Sequence, residues 1–319
     1  VDLDAKYGSK LVKTNGKPYL VPNTQDIWVT LYNKKIFDDA GVPYPTADGW
    51  TWSKYIETAK KVTNVEKGIY GSSMVLDWDS YKYMYAHQMG AVDYKADGTS
   101  NFDDPLFADG LKFLKDLSDV YGVQTNMLDY MSKKIAWDHF ATGKYAMHVD
   151  GGWSTVFVND LKTYPRDWKY GILPMPYPDG QPRTSLSVIG GYAVVKGSKN
   201  PDAAFKVADL FAAKQYTVDP IRQPTTADIT KTDLEDYIKG TIEPFMESDG
   251  VTVEDYMNAW YNPDIKLINE KVVGPADAYI NQLFVDEGQL YLLGKQDIET
   301  TMKNIKEKAD KAIAEAANQ

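Results

Sequence analysis

The chain of 319 residues contains no cysteine and only three histidines, His87, His139 and His148. Without cysteine there is no disulfide scaffold, thiolate zinc site, iron–sulfur cluster or cysteine nucleophile. A chain of this length suggests about two domains at roughly 150 residues each, and a core of that size needs no disulfide. Positive charge is also short: 35 Lys and Arg face 45 Asp and Glu, a net charge of −10. An acidic surface repels phosphate backbones, so nucleic acid is not expected as a partner. No apolar run approaches the ~20 residues of a membrane helix. No basic segment followed by an apolar one is seen, so any signal segment is expected to be gone from this chain.

The usual catalytic signatures are missing as well. The histidines do not have HExxH spacing, and His148, on a strand-like segment, reads as a hydrogen-bonded structural residue. Gly190–Gly191 lacks the Lys-Ser/Thr of a phosphate loop, and Ser185 and Ser187 lie in no GxSxG elbow. Carboxylate pairs occur at Asp38/Asp39, Asp77/Asp79 and Asp103/Asp104. A glycosidase needs its two carboxylates ~5–9.5 Å apart across a cleft, which adjacency in sequence does not establish. Asp103–Asp104 reads equally as capping and dipole compensation at a helix start. Asp77–Trp78–Asp79 flanks an indole with two acids, where Trp78 could stack on a sugar or simply cap an apolar surface.

Aromatics are abundant: 8 Trp, 23 Tyr and 10 Phe. Tyr and Trp join a flat apolar face to a polar tip, which suits a hydrated ligand with apolar faces such as a sugar; most of them nevertheless read as core. Strand and helix signals alternate, the pattern of an α/β fold. Strands are expected at 17–22, 26–32, 68–75, 145–150, 170–174 and 187–195. In 26–32, Ile27, Val29 and Leu31 alternate with Trp28, Thr30 and Tyr32. Helices are expected at 33–40, 53–63, 104–121, 131–141, 200–214, 276–293 and 298–317. Residues 219–264 read as proline- and acid-rich turns.

Several segments in order resemble one family. Residues 16–22 (GKPYLVP), 26–34 (DIWVTLYNK), Phe37 and 40–43 (AGVP) are similar to the "GK-YG-P…YYNK-LF-EAGLP" stretch of extracellular solute-binding proteins, family 1, the maltose-binding-protein-like sugar binders. Residues 52–63 (WSKYIETAKKVT), 140–144 (FATGK), 150–153 (DGGW), 170–174 (YGILP), Gly190–Gly191, 198–204 (SKNPDAA) and Gly294–Lys295 continue the match. The resemblance implies an α/β, periplasmic-binding-protein-like (class II) two-lobe fold with crossover strands. It further implies a non-enzymatic, extracytoplasmic carbohydrate-binding subunit of an ABC importer, periplasmic or a cell-surface lipoprotein. A carbohydrate ligand and permease subunits would be its partners, with no cofactor and no metal.

The ligand-binding residues so implied are Trp153 first, then Asp26 at the first crossover, Trp78 and Tyr81 on the second lobe, Gly190 and Gly191 at the second crossover, and Trp260. Trp28 shares the orientation of Asp26 but suits a core role equally. The match begins only near the first crossover. Residues 1–24 with about 190–225 would be a remnant of an incomplete first lobe, 26–187 the second lobe, and 226–319 a helical region packing on both. At ~30 residues per βαβ unit, the unmatched part amounts to on the order of 90–100 residues. A shortened product, a shortened gene and a lobe completed by another chain are the three accounts. A glycan-active enzyme using Asp77, Asp79 or Asp150, and a fragment that binds nothing, are the alternatives.

Overall fold

The structure is a computed structural model, described over residues 1–14, 16–215 and 223–317. Along the chain run α1 (Leu3–Tyr7), β1 (Lys13–Thr14), β2 (Lys17–Pro18), β3 (Val21–Asn33), α2 (Lys34–Ala40), α3 (Trp52–Val62), β4 (Tyr70–Ser73), α4 (Ser80–Gln88), α5 (Pro105–Asp119) and α6 (Met127–Ser132). Then follow β5 (Tyr145–Gly151), α7 (Val156–Asn159), β6 (Tyr170–Pro174), β7 (Thr184–Tyr192), α8 (Pro201–Lys214), α9 (Lys231–Asp249), α10 (Val253–Trp260), β8 (Lys266–Asn269), α11 (Asp277–Leu292) and α12 (Ile298–Ala316).

Strand β3 organises everything. Its first half, from Val21 to Ile27, pairs antiparallel with β7, and its second half is flanked by β5 on one side and β6 on the other. The alternation in the sequence is real, but both faces are buried, as expected for a central strand covered by helices on each side. Trp28 and Tyr32 join the cluster built with α3, α4 and α5, whereas Val29 and Leu31 join the one built with α9 and α10. A third cluster is formed between α4, α5, α11 and α12, where Met302, Ile305 and Ala309 of the last helix are buried. That helix therefore packs on the body rather than in a coiled coil.

A fourth, small cluster stands at the other end of β3: Tyr7, Leu11, Val21, Ala208 and Ala212. On α8 the expected apolar stripe is only partly covered. Ala208 and Ala212 are buried, while Val207, Leu210 and Phe211 are exposed.

Local chemistry explains the element ends. Asn33 caps α2, Asp104 caps α5 with Pro105 in its first turn, and Thr51 caps α3. Several sequence expectations fail, the 17–22 strand among them, which is split between β2 and the start of β3 with Pro22 inside the latter. The 131–141 helix is instead α6, capped by Asn126, followed by a left-handed Lys134 (φ 49°) and a short 3₁₀ turn at His139–Thr142. The positive φ at Lys134 stops a helix from running through. The 187–195 strand lies three residues earlier, in register with β3. Residues 231–260, expected as turns, form α9 and α10, each opened by a reciprocal capping box, Thr230/Asp233 and Thr252/Asp255. The acids read as turn formers are these caps; the part of the expected turn region at 219–222, like 216–218 of the expected first-lobe remnant, lies outside the described residues.

Candidate ligand-binding site

The candidate site is assembled where β5 ends. Gly151 is directly followed by Gly152 and Trp153, and Gly151 pairs with Trp28 in the adjacent strand. The Trp153 indole folds back over Gly151 so closely that a Cβ there would stand 2.2 Å from the ring. Only glycine lets this aromatic come so close to its own strand end. Trp153 stacks on Trp78, with centroids 6.0 Å apart and planes at 16°, and receives the edge of Trp28 at 6.3 Å. Both Trp78 and Trp153 retain partial exposure. Offset stacking and edge-to-face contact are the favoured geometries for aromatic rings.

Charged groups border these rings. The Lys271 ammonium lies over Trp78 at 4.8 Å and pairs with Asp79 at 2.5 Å and with Glu270 at 3.3 Å. Buried Glu270 also accepts from the Trp28 indole N–H at 3.0 Å and from Ser80 Oγ at 3.2 Å. Burial raises the Glu270 carboxyl above its usual range, and the Lys271 charge and these donors work against that rise. Sequence reasoning missed Glu270 and Lys271. They follow β8, a strand parallel to β7, and only that long-range pairing brings them to Trp78.

The turn that carries Trp78 is fastened from below. Lys82 of α4 is fully buried and donates to the carbonyls of Leu76 at 2.6 Å and Trp78 at 2.9 Å. Burial lowers its ammonium to about 8. Half-buried Lys10, which donates to the Pro224 carbonyl, is also lowered to about 8 by burial. Between that value and the ~10.4 of a free lysine, the unfolded chain binds more protons than the folded one. The burden of the buried charge is thus fully present below pH 8 and is relieved as pH rises. Stability should increase between pH 8 and 9.5, by on the order of 2 kcal/mol for Lys82 at 1.36 kcal/mol per pH unit. Thermal melts of the Lys82→Met variant should show a clearly shallower slope than the wild type, the remainder belonging to Lys10 and to Lys34, which burial also lowers; an unchanged slope contradicts this assignment.

The other sequence candidates are placed as follows. Tyr81 sits on α4 with 1% exposure, its hydroxyl donating to the Val149 carbonyl at 2.7 Å and its ring 4.8 Å from Trp28. It supports the aromatic group from within. Trp260, at the end of α10, is also buried, and its indole leans on Gly152, where a Cβ would come within 3.1 Å. Trp153, Trp78 and Tyr81 therefore share one aromatic group with Trp28, whereas Trp260 belongs to the cluster built with α9 and α10 and meets the β5 end at Gly152. Asp26 is buried on β3, paired in register with Val188. Its charge contributes, after burial and Tyr237, to raising the Tyr261 phenol, and Tyr261 touches Trp260 with centroids 6.4 Å apart. Gly190 and Gly191 lie farther along, opposite Thr24 and Pro22. A Cβ at Gly191 would meet Leu20 at 2.2 Å, so this glycine serves the close pairing of β7 with β3.

The acids are each engaged locally. Asp77 accepts from the Tyr130 hydroxyl at 2.9 Å and Asp79 from Tyr83 at 2.7 Å, while Asp150 is buried and caps the Gly151 N–H at 2.8 Å. Among the described residues there is no cluster of metal-binding side chains, and no helix is long and apolar enough to cross a membrane. Two hollows, of about 480 and about 730 Å³, lie away from the aromatic group, and none of the sequence candidates lines them.

Comparison with known proteins gives the fold a context. The family model described as bacterial extracellular solute-binding protein matches residues 1–218. A putative binding protein of Brucella abortus is 25% identical over 205 residues, 63% of this chain and 48% of that protein. The chain thus spans about half the length of the curated relatives it matches. Among solved structures, an ABC substrate-binding protein from Listeria monocytogenes in complex with cycloalternan superposes with TM-score 0.77 at 25% identity, covering 98% of this chain and 77% of that one. A solute-binding protein from Thermotoga lettingae bound with α-D-tagatose gives 0.69 at 21% identity, with 98% and 78% covered.

Proposed function

The chain belongs to the bacterial extracellular solute-binding proteins, and from that membership we propose that it is the carbohydrate-binding subunit of an ABC importer, handing a sugar or oligosaccharide to permease subunits outside the cytoplasm. One observation carries the reading. A partly exposed indole, Trp153, is seated on Gly151 and braced by Trp78, over whose ring lies Lys271, paired with Asp79 and Glu270. Such a surface offers an apolar platform for a sugar face and, in the partly exposed Lys271 ammonium, a charged partner for its hydroxyls. The sugar ligands of the Listeria and Thermotoga proteins point the same way.

The protein binds rather than catalyses in this reading. Asp77, Asp79 and Asp150 are each committed to a tyrosine hydroxyl or a backbone N–H, which supports that role. The small cluster of Tyr7, Leu11, Val21, Ala208 and Ala212 supports a first lobe made from residues 1–24 and about 190–225. Residues 26–187 then make the second lobe, with 226–319 packed against the pair. Asp26, Gly190 and Gly191 lie in this scheme at the crossovers, and ligand closure would be a hinge motion about them. A periplasmic location or a lipid anchor at the cell surface both fit this role.

Titration calorimetry with mono-, di- and oligosaccharides, linear and cyclic, tests the proposal. Saturable heat at one site is the expected result. No heat with any member of the panel, together with sugar release from a polysaccharide that Asp→Asn changes abolish, would replace it with an enzymatic role.

A further inference from the structure

Behind the candidate site lies a buried chain of four side chains that the binding role does not explain. Ser73 of β4 has its Oγ 2.6 Å from His139 Nε2 and 2.8 Å from His148 Nδ1. His139 Nδ1 is 2.7 Å from the Ala136 carbonyl oxygen, and His148 Nε2 is 3.3 Å from Asp150 Oδ2. Ser73, His148 and Asp150 are at most 3% exposed and His139 is 6% exposed.

The polarity of these contacts can be read from one end to the other. A carbonyl oxygen only accepts, so His139 carries its proton on Nδ1. Burial, then the neighbouring His148, pushes the His139 imidazole down to about 3, so the ring is neutral and its Nε2 is bare. That nitrogen must accept the hydroxyl proton of Ser73. The Ser73 oxygen has then spent its one proton and can only accept from His148, which places a proton on His148 Nδ1. The remaining nitrogen, Nε2, faces a carboxylate oxygen. Two bare acceptors at this distance in a dry interior repel, and a buried polar group left unpaired costs about 1–3 kcal/mol.

We infer that one proton is retained between His148 Nε2 and Asp150 Oδ2, and that the Asp150–His148–Ser73–His139 chain positions the turn that carries Trp153. This rests on the reading of Trp153 as the ligand platform. The link to the turn is direct. The second oxygen of Asp150 accepts the Gly151 N–H at 2.8 Å, and the Trp153 ring lies on Gly151. The chain also joins β4, β5 and the His139 turn, so three segments agree on where β5 ends. The groups facing it are Tyr81 from α4 and Tyr130 from α6, which both feel the Asp150 charge, Tyr145 of β5, whose ring is 4.7 Å from His139, and Phe140 and Phe157, packed on His148. These surroundings suit a neutral pair or a tight ion pair, and not a lone charge.

Nitrogen-15 and carbon-13 NMR of the unliganded wild-type protein reads the proton directly. His139 should show one protonated and one bare ring nitrogen. His148 should show both ring nitrogens protonated, or a bare Nε2 opposite a protonated Asp150 carboxyl. A bare Nε2 opposite an ionised Asp150 overturns the inference. Positioning is read from the Gly151 amide and Trp153 indole N–H resonances, the latter identified by their loss in Trp153→Phe. In Asp150→Asn the amide donates to His148 Nε2 and its oxygen still accepts from Gly151, so both resonances should stay in place while His148 becomes singly protonated. In Asp150→Ala both should shift. Resonances that move equally in the two variants, or in neither, contradict a positioning role. Because no sugar is used, absence of sugar binding would defeat the proposed function and leave this result standing.

Discussion

Trp153→Ala is expected to weaken sugar binding by about 30-fold while lowering the melting temperature less than truncation of a fully buried tryptophan does. The magnitude follows from area. A tryptophan offers roughly 150–250 Å² of surface, and a sugar resting on one face covers on the order of 80 Å² of it. At ~25 cal/mol per Å² that contact contributes about 2 kcal/mol, or roughly a factor of 30 in Kd at 1.4 kcal/mol per tenfold. The stability cost should be the smaller one because Trp153 is partly exposed at the rim of its cluster and not inside it. Trp260→Ala should behave in the opposite way. Its ring is 4% exposed and packs edge-on to Tyr256, so large-to-small truncation there costs ~3–5 kcal/mol of stability. Calorimetry and thermal melts on both variants separate the roles; wild-type affinity in Trp153→Ala would remove this residue from the site.

The two residues also show what could be read in advance. Trp153 was legible because a local motif, DGGW, puts two glycines before an indole, and the structure uses Gly151 to receive that ring. The central strand was legible because its period-2 pattern is local too. Its true length of 13 residues was not, since both ends continue only through pairing with β7 and β6. Glu270 and Lys271 carried no signal of their own. They matter because β8 pairs with β7, a contact spanning about 80 residues of sequence, as in Ser187 with Asn269. Nor did the sequence distinguish buried Tyr81 from partly exposed Trp78. The two lie on either side of the start of α4, and burial there is decided by the β3 face against which the helix packs. The helices α9 and α10 were hidden by their own caps, because Thr and Asp at a helix start are also the residues of turns.

An equally large effect on stability is expected at a residue outside the Trp153 aromatic cluster. Asp249, 4% exposed, ends α9, and its carboxylate receives the Arg166 guanidinium at 2.6 and 3.1 Å, the Tyr170 N–H at 3.0 Å and Ser248 Oγ at 2.8 Å. Its carbonyl accepts from Lys34 at 2.5 Å. The side chain thus fastens the end of α9 to Arg166 and the start of β6, and the backbone carbonyl ties it to the first residue of α2. Arg166 in turn lies against the rings of Trp168, Tyr170 and Phe245, at 5.1–5.8 Å from their centroids. In Asp249→Ala the guanidinium would remain buried without its counter-charge. Breaking a buried pair from one side costs ~3–5 kcal/mol. At ~2–4 °C per kcal/mol for a chain somewhat smaller than this one, Tm should fall by about 10 °C. Replacing both partners, Arg166→Met with Asp249→Leu, should recover much of that loss, because the cost lies in the orphaned charge and less in the lost attraction. Glu57→Ala, which breaks an exposed pair with Lys61 on α3, should leave Tm unchanged. Sugar affinity of folded Asp249→Ala should match the wild type, since its contacts lie among β6, α9 and Lys34 and none is with the Trp78–Trp153 pair. A Tm fall no larger than that of Glu57→Ala would mean that the buried pair is not what holds α9 in place.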